Sequence, residues 1–166
     1  MKQKSDLLKK EDKGDLNRAK EYVLKFLEYR ERSEQEIRKR MAKKEYDERL
    51  IKETIEFLKN HNLLNDRRFA RMWTESRLRR SYGRWKVQAD LNEKGIDREI
   101  IEEVLRESYS KVAEIQIALD LIQKKWPFLK EENNASLRRV SDFLKRRGFS
   151  FEVIAEAIRQ QYRQVI

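Results

Sequence analysis

The sequence predicts an all-α protein: three tandem three-helix repeats forming an elongated, curved array. Three observations carry that prediction. The 166 residues include one proline and four glycines, too few turn formers for a β-sandwich or barrel. Charged residues are 42% and hydrophobic residues 39%. A charged share well above the usual ~25% fits a high surface-to-core ratio. Third, one apolar pattern occurs three times. Val87, Leu91, Ile96, Ile100, Ile101, Val104 and Leu105 are matched earlier by Ile37, Met41, Tyr46, Leu50, Ile51, Thr54 and Ile55. They are matched later by Val140, Leu144, Phe149, Val153, Ile154, Ala157 and Ile158. Fixed-period self-similarity of this kind marks a repeat architecture, whose small members share stability along the row.

Each element follows from local signals. Residues 1–14 read as a flexible, solvated tail, and the repeats as 15–65, 66–109 and 110–166. A longer helix opens each repeat, at about Asp15–Arg30, Asp66–Arg80 and Ser110–Lys125. A helical pair follows it. In the first repeat Ser33 and Glu36 make a capping box, in which the serine hydroxyl and the glutamate carboxylate satisfy opposed backbone N–H groups. Val87 and Leu91 are four apart and share a helix face. Gly95 and Gly148 fall where a helix ends in the left-handed region. Asp47, Asp97 and Ser150 stand at the next N-cap. Glu45 takes the glycine position of the first repeat, so that turn must differ or bear strain. Trp73, Val87, Leu91 and Ile101 are expected in the core.

Charge narrows the function classes. The net charge is +10, from 40 Lys and Arg against 30 Asp and Glu, and a basic excess on this scale suits a polyanion. With no cysteine, disulfides and thiolate metal sites are excluded. No apolar run approaches the ~20 residues of a membrane span, and the start lacks a signal-peptide core. A cytoplasmic protein with no membrane partner is expected. The single histidine, His61, ends a helix, where a cation is favourable. No nucleophile or orienting partner stands at a recognisable spacing from it, and no Gly-rich phosphate loop is present. No catalytic residue, metal or cofactor is therefore assigned.

Binding is better supported than catalysis. Between Asp66 and Lys94 the cations are segregated and rich in arginine, which grips phosphate or carboxylate with a two-pronged fork. Phe69, Trp73 and Ser76 form one helical stripe, with Arg67 and Arg71 on the opposite side. Arg67, Arg71, Arg77, Arg79, Arg80, Arg84 and Lys86 are the primary candidates for contact with a filament or DNA. Arg138, Arg139 and Lys145, away from the Val140–Leu144 stripe, are secondary. Trp85 lies about 200° from the core stripe; packing on a neighbouring repeat is preferred over an exposed contact. A helix-turn-helix reader is disfavoured, because the helix after Gly95 carries Asp97, Glu99, Glu102, Glu103 and Glu107, which would repel phosphate.

The stretches "RSEQEIRKRM" and "LLNDRRFARMWTESRLRRSYGRWKVQADLNEKGIDREIIEEVL" resemble the bacterial RecX regulatory proteins. The resemblance runs from about Arg32 to the C-terminus and is sharpest from Ser33 to Leu105. The "SEQEI" opening carries it, with the L-x-D-x-R-F-A run at Leu64–Ala70 and the Tyr82-Gly83 and "LNEKGI" elements before Asp97. Asn62 stands where the family often has glycine, and asparagine tolerates the left-handed region. Asn65 replaces a common aspartate, leaving Asp66 to cap. The resemblance implies tandem three-helix repeats and a non-enzymatic regulator of the RecA recombinase in DNA repair and the SOS response. Such a regulator binds the groove of the RecA–DNA filament and limits filament growth, ATP hydrolysis and strand exchange. The expected partners are the RecA filament and single- and double-stranded DNA, through phosphates, for a monomeric protein. A basic regulator acting on DNA directly is the competing reading.

Overall fold

The computed structural model describes residues 2–126 and 134–163, with side chains from Asp15 onward. Among these residues the chain forms α1 (Lys2–Leu27), α2 (Glu34–Ala42), α3 (Glu48–Asn60), α4 (Asp66–Leu78), α5 (Arg84–Glu93), α6 (Arg98–Ser108), α7 (Lys111–Lys125), α8 (Asn134–Arg146) and α9 (Phe151–Arg163). The all-α repeat reading holds: each predicted long helix is present, followed by its pair. Helix α1 reaches back to Lys2 and so takes in most of the segment read as a tail.

The apolar pattern is the core. Of its three sets, every position is buried except Tyr46, Ile100 and Ile158, which are half-buried. By contact the chain divides into two compact units. The first is Met1–Phe69 with the turn Lys94–Ile96; the second is Ala70–Glu93 with Asp97–Ile166. The first unit is centred on Ala19, Val23, Ile37, Met41, Ile51, Ile55, Leu58 and Leu64. In the second, Ala118, Ile122, Val140, Leu144, Phe149, Val153, Ile154 and Ala157 pack together. Each large aliphatic side chain fully buried in this way contributes about 1.5–3 kcal/mol. Trp73 corrects the expectation, being only half-buried. An indole is large enough to cover core on one side and meet solvent on the other.

One turn design recurs. Glu45, Asn62, Ser81, Gly95 and Gly148 all adopt positive φ, at 62°, 53°, 56°, 71° and 87°. After α2, α3, α4 and α8 the residue beyond this position donates its N–H five residues back, as Tyr46 to Met41 O, Leu63 to Leu58 O, Tyr82 to Arg77 O and Phe149 to Leu144 O. This is the Schellman closure, in which an apolar residue folds back over the helix end. Glu45 thus bears strain instead of changing the turn, at about 1–2 kcal/mol for a residue with a Cβ.

The expected caps form. Ser33 Oγ accepts from Glu36 N, and Glu36 Oε2 accepts from Ser33 N, completing the capping box. Asp47 accepts from Leu50 N at 2.8 Å, Asp97 from Glu99 N at 2.8 Å and Ser150 from Val153 N at 3.3 Å. One assignment is corrected: Asn65, not Asp66, caps α4, accepting from Arg68 N at 2.9 Å. Asp66 Oδ1 is instead turned to Glu34 N, at 2.8 Å, in the first turn of α2.

These caps also join distant segments within each unit. In the first unit the fully buried Ser33 hydroxyl donates to Lys94 O at 2.7 Å. In the second, Gly83 N donates to Arg147 O at 2.9 Å and Trp85 N to Gly148 O at 3.0 Å. The start of α5 therefore lies backbone to backbone on the α8–α9 turn. A Cβ on Gly83 would stand 2.5 Å from Gly148 O, and one on Gly148 only 2.3 Å from Lys86 N. Both glycines are required by that approach.

Candidate polyanion interface

The structure separates the sequence-predicted cations into groups with different surroundings. On α4, Arg67 is exposed. Arg71 is also exposed but reaches the acidic face of α6, with Nη2 at 3.5 Å from Glu103 and 3.2 Å from Glu107. Exposed pairs of this kind contribute at most ~1 kcal/mol and exchange readily for another anion. Arg77 is different. Its side chain is 21% exposed, and Nε stands 2.7 Å from the buried Asp90 in a contact not aligned as a hydrogen bond. Its guanidinium lies over the rings of Trp73 at 4.6 Å and Tyr82 at 5.4 Å. Lys86 approaches the other Asp90 oxygen at 2.9 Å. Arg77 and Lys86 are thus brought together by one buried carboxylate, Arg77 mostly within the protein and Lys86 at its surface.

Arg84 opens α5. Its backbone N–H donates at 2.9 Å to Oε1 of Glu114, a carboxylate only 8% exposed. Burial pushes the Glu114 carboxyl above its ordinary range, while the Arg84 N–H and guanidinium pull the other way without prevailing. Burial, with Glu114 nearby, also pushes the Tyr109 hydroxyl up. That hydroxyl donates to Tyr82 O at 2.9 Å and ties α6 to the α4–α5 turn. Arg138, Arg139 and Lys145 are exposed on α8. Trp85 overturns the packing preference: it is 57% exposed.

Arg79 and Arg80, exposed just after α4, line a cleft of about 510 Å³ with Lys124 and Lys125 of α7, Phe143 of α8 and Arg147 just after it. Of the lining residues, Asp120 is the acid. Lys124, Lys125 and Arg147 were missed by sequence reasoning. Their runs, "QKKW" and "KRRG", close helices, where cations ordinarily complement the helix dipole. The first unit holds its own charge network. Arg30 and Lys94 both pair with Glu36, at 2.9 and 2.8 Å. Burial opposes that charge, yet these two cations hold the Glu36 carboxyl below its ordinary range. Arg68 pairs with Glu31 at 2.8 Å and donates to Asn62 O at 3.1 Å, so it braces a turn. Among the described residues no group of three or more His, Cys, Asp or Glu could hold a metal ion. No described helix is long and apolar enough to cross a membrane.

Comparison with known proteins decides the family. Models of the first, second and third RecX three-helix domains match residues 19–58, 65–105 and 113–158 in series. Regulatory protein RecX of Clostridium beijerinckii is 34% identical over 146 residues, covering 86% of this chain and 68% of that protein. Its counterpart in Chlorobium phaeobacteroides is 33% identical over 150 residues, covering 90% and 97%. The chain belongs to the RecX family of regulatory proteins. The crystal structure of RecX from Lactobacillus salivarius shares the fold, with a TM-score of 0.78 at 21% identity over 89% of this chain and 97% of that one. As a RecX protein the chain has a regulatory role, and its repeat structure is that of its relatives.

Proposed function

We propose that this RecX protein regulates a RecA recombinase by binding the RecA–DNA filament in its groove. There it limits filament extension, ATP hydrolysis and strand exchange, acting in the cytoplasm as a monomer and without chemistry of its own. The carrying observation is the serial match to all three RecX domains, because its ranges take in the cations proposed as contacts as well as the core. Repeats at 15–65, 66–109 and 110–166, following residues 1–14, are the units proposed to meet the filament.

Exposed cations on α4, in the turn that follows it and on α8, with the half-buried Arg84 opening α5, support a polyanionic target. Arg67, Arg71, Arg79, Arg80 and Arg84 are proposed as primary contacts, with Arg138, Arg139 and Lys145 secondary. Arg77 and Lys86 are proposed to act mainly by fixing α4 against α5 through Asp90.

The test is ATP hydrolysis by preformed RecA filaments on single-stranded DNA, with this protein well below stoichiometry. Loss of hydrolysis that a DNA competitor does not reproduce is the expected outcome. Unchanged hydrolysis with tight binding to bare DNA would replace this reading with a regulator acting on DNA directly. Replacing Arg71 and Arg84 together by alanine should weaken filament binding about tenfold, from two surface contacts at ~0.7 kcal/mol each. Helical circular dichroism should stay unchanged; if it falls with the affinity, the two arginines are structural.

A further inference from the structure

We propose that the cleft between the α4–α5 turn, α7 and α8 is a phosphodiester subsite for a nucleic-acid strand. The proposal rests on the filament reading and names where the strand's backbone would be gripped. The cations there differ in how they are held. Several cations elsewhere in the second unit are tied to carboxylates, as Arg71 to Glu103 and Glu107, Arg77 and Lys86 to Asp90, and Lys111 to Glu152. In the cleft two of the cations, Arg147 and Lys125, are held by neutral groups. Arg147 Nη1 donates to Arg80 O at 2.6 Å, and its guanidinium lies 5.0 Å from the Tyr82 ring centre and 5.4 Å from that of Phe143. Lys125 Nζ stands 4.0 Å over Phe143, which Trp126 meets edge-on at 5.3 Å.

A carbonyl or a ring face orients a cation and leaves its full charge in place. Arg79 touches a carboxylate only at the 4.0 Å limit, with both side chains largely exposed. Asp120 accepts from the neutral Gln116 at 2.7 Å and so keeps its charge, one acid against the five cations Arg79, Arg80, Lys124, Lys125 and Arg147 among the lining residues. Cations from three elements therefore converge around a concave, weakly neutralised space, and concavity focuses such a field.

A strand is favoured over an acidic protein surface by the chemistry of the donors. Guanidinium forks match phosphate oxygens, and a row of separate cations matches the regular charge spacing of a backbone. A cleft of about 510 Å³ is in the range of sites that enclose a small group.

The test compares the protein with Lys124→Gln/Lys125→Gln and with a control, Arg98→Gln/Arg106→Gln, that removes the same charge from α6. Binding of a fluorescent oligothymidylate of about 20 nucleotides is followed by anisotropy across a salt series, where each lost single-strand phosphate contact flattens the log–log slope by ~0.7. The cleft variant should bind about tenfold more weakly at low salt, with a slope flatter by about 1.4, while its melting temperature and the control's slope stay put. Equal slopes for all three proteins would overturn the subsite. Polyglutamate binding that falls as much as strand binding would assign the cleft to an acidic protein instead. Displacement of the strand by inorganic phosphate, beyond that by chloride at equal ionic strength, would reduce it to a free-phosphate site. Wild-type protein without effect on RecA ATP hydrolysis would sink the filament reading alone, since the oligonucleotide slopes are measured without RecA.

Discussion

Two cation clusters in the second unit contrast sharply. Around Asp90, Arg77 and Lys86 converge on a buried carboxylate, and the charge is used to lock α4 to α5. Around the cleft, Arg147 and Lys125 rest on ring faces and a carbonyl, so the charge is oriented but retained. Counting arginines therefore does not locate a binding surface. The identity of the group holding each arginine does. A cation paired to a buried acid is structural, because breaking the pair strands a charge. One held by neutral groups can meet an outside anion without first giving up a partner.

The largest expected effect joins the two clusters. Gly148→Ala would force a Cβ within 2.3 Å of Lys86 N at a φ of 87°, separating the start of α5 from the α8–α9 turn and displacing Arg147. Overpacking and backbone strain together should cost about 3 kcal/mol or more, read as a lower urea midpoint. Asp90→Ala comes next. It leaves the half-buried Arg77 without its counter-ion, and about 2–4 kcal/mol of stability should go. Loss of less than ~0.5 kcal/mol would mean that the Trp73 and Tyr82 rings suffice to hold Arg77, erasing the contrast. The cleft variant Lys124→Gln/Lys125→Gln should do the opposite, shifting stability by no more than ~0.5 kcal/mol while weakening strand binding.

Much of this was legible from residue patterns. Three copies of one apolar set gave the repeats because burial imposes helical spacing wherever it occurs. Ser33, Asp47, Asp97 and Ser150 were readable as caps because capping is local. The left-handed turn at Asn62 was legible only through the family resemblance, whereas Ser81 gave no signal, its side chain being no special favourite of that region. Asp90, between Val87 and Leu91, reads as a surface residue; only the arrival of Arg77 from another helix explains its burial. Trp85 was legible as off the core stripe, but whether a neighbour covered it was not. The cleft was illegible for the same reason. Arg80 and Arg147 are 67 positions apart, and nothing local in either run says that they meet.

Glu114 supplies a third way of holding charge, and the smallest effect. Here a buried anion is held by a backbone N–H, that of Arg84 at 2.9 Å. Burial raises its carboxyl above the ordinary value in the folded protein. The folded state therefore binds the proton more tightly than the unfolded chain. Stability from this group is fully present below the unfolded value, near pH 4.5, and is lost as pH rises through the folded one. At pH 7 the charged carboxylate is then a net cost. Glu114→Gln keeps a carbonyl for the Arg84 N–H and removes that charge. It should be equal to or more stable than wild type at pH 7, by up to about 1 kcal/mol, and the advantage should vanish by about pH 4. Urea midpoints at the two pH values decide it. A variant less stable at pH 7 would show that Glu114 works as a counter-ion to the Arg84 guanidinium, placing it with Asp90 among the paired acids.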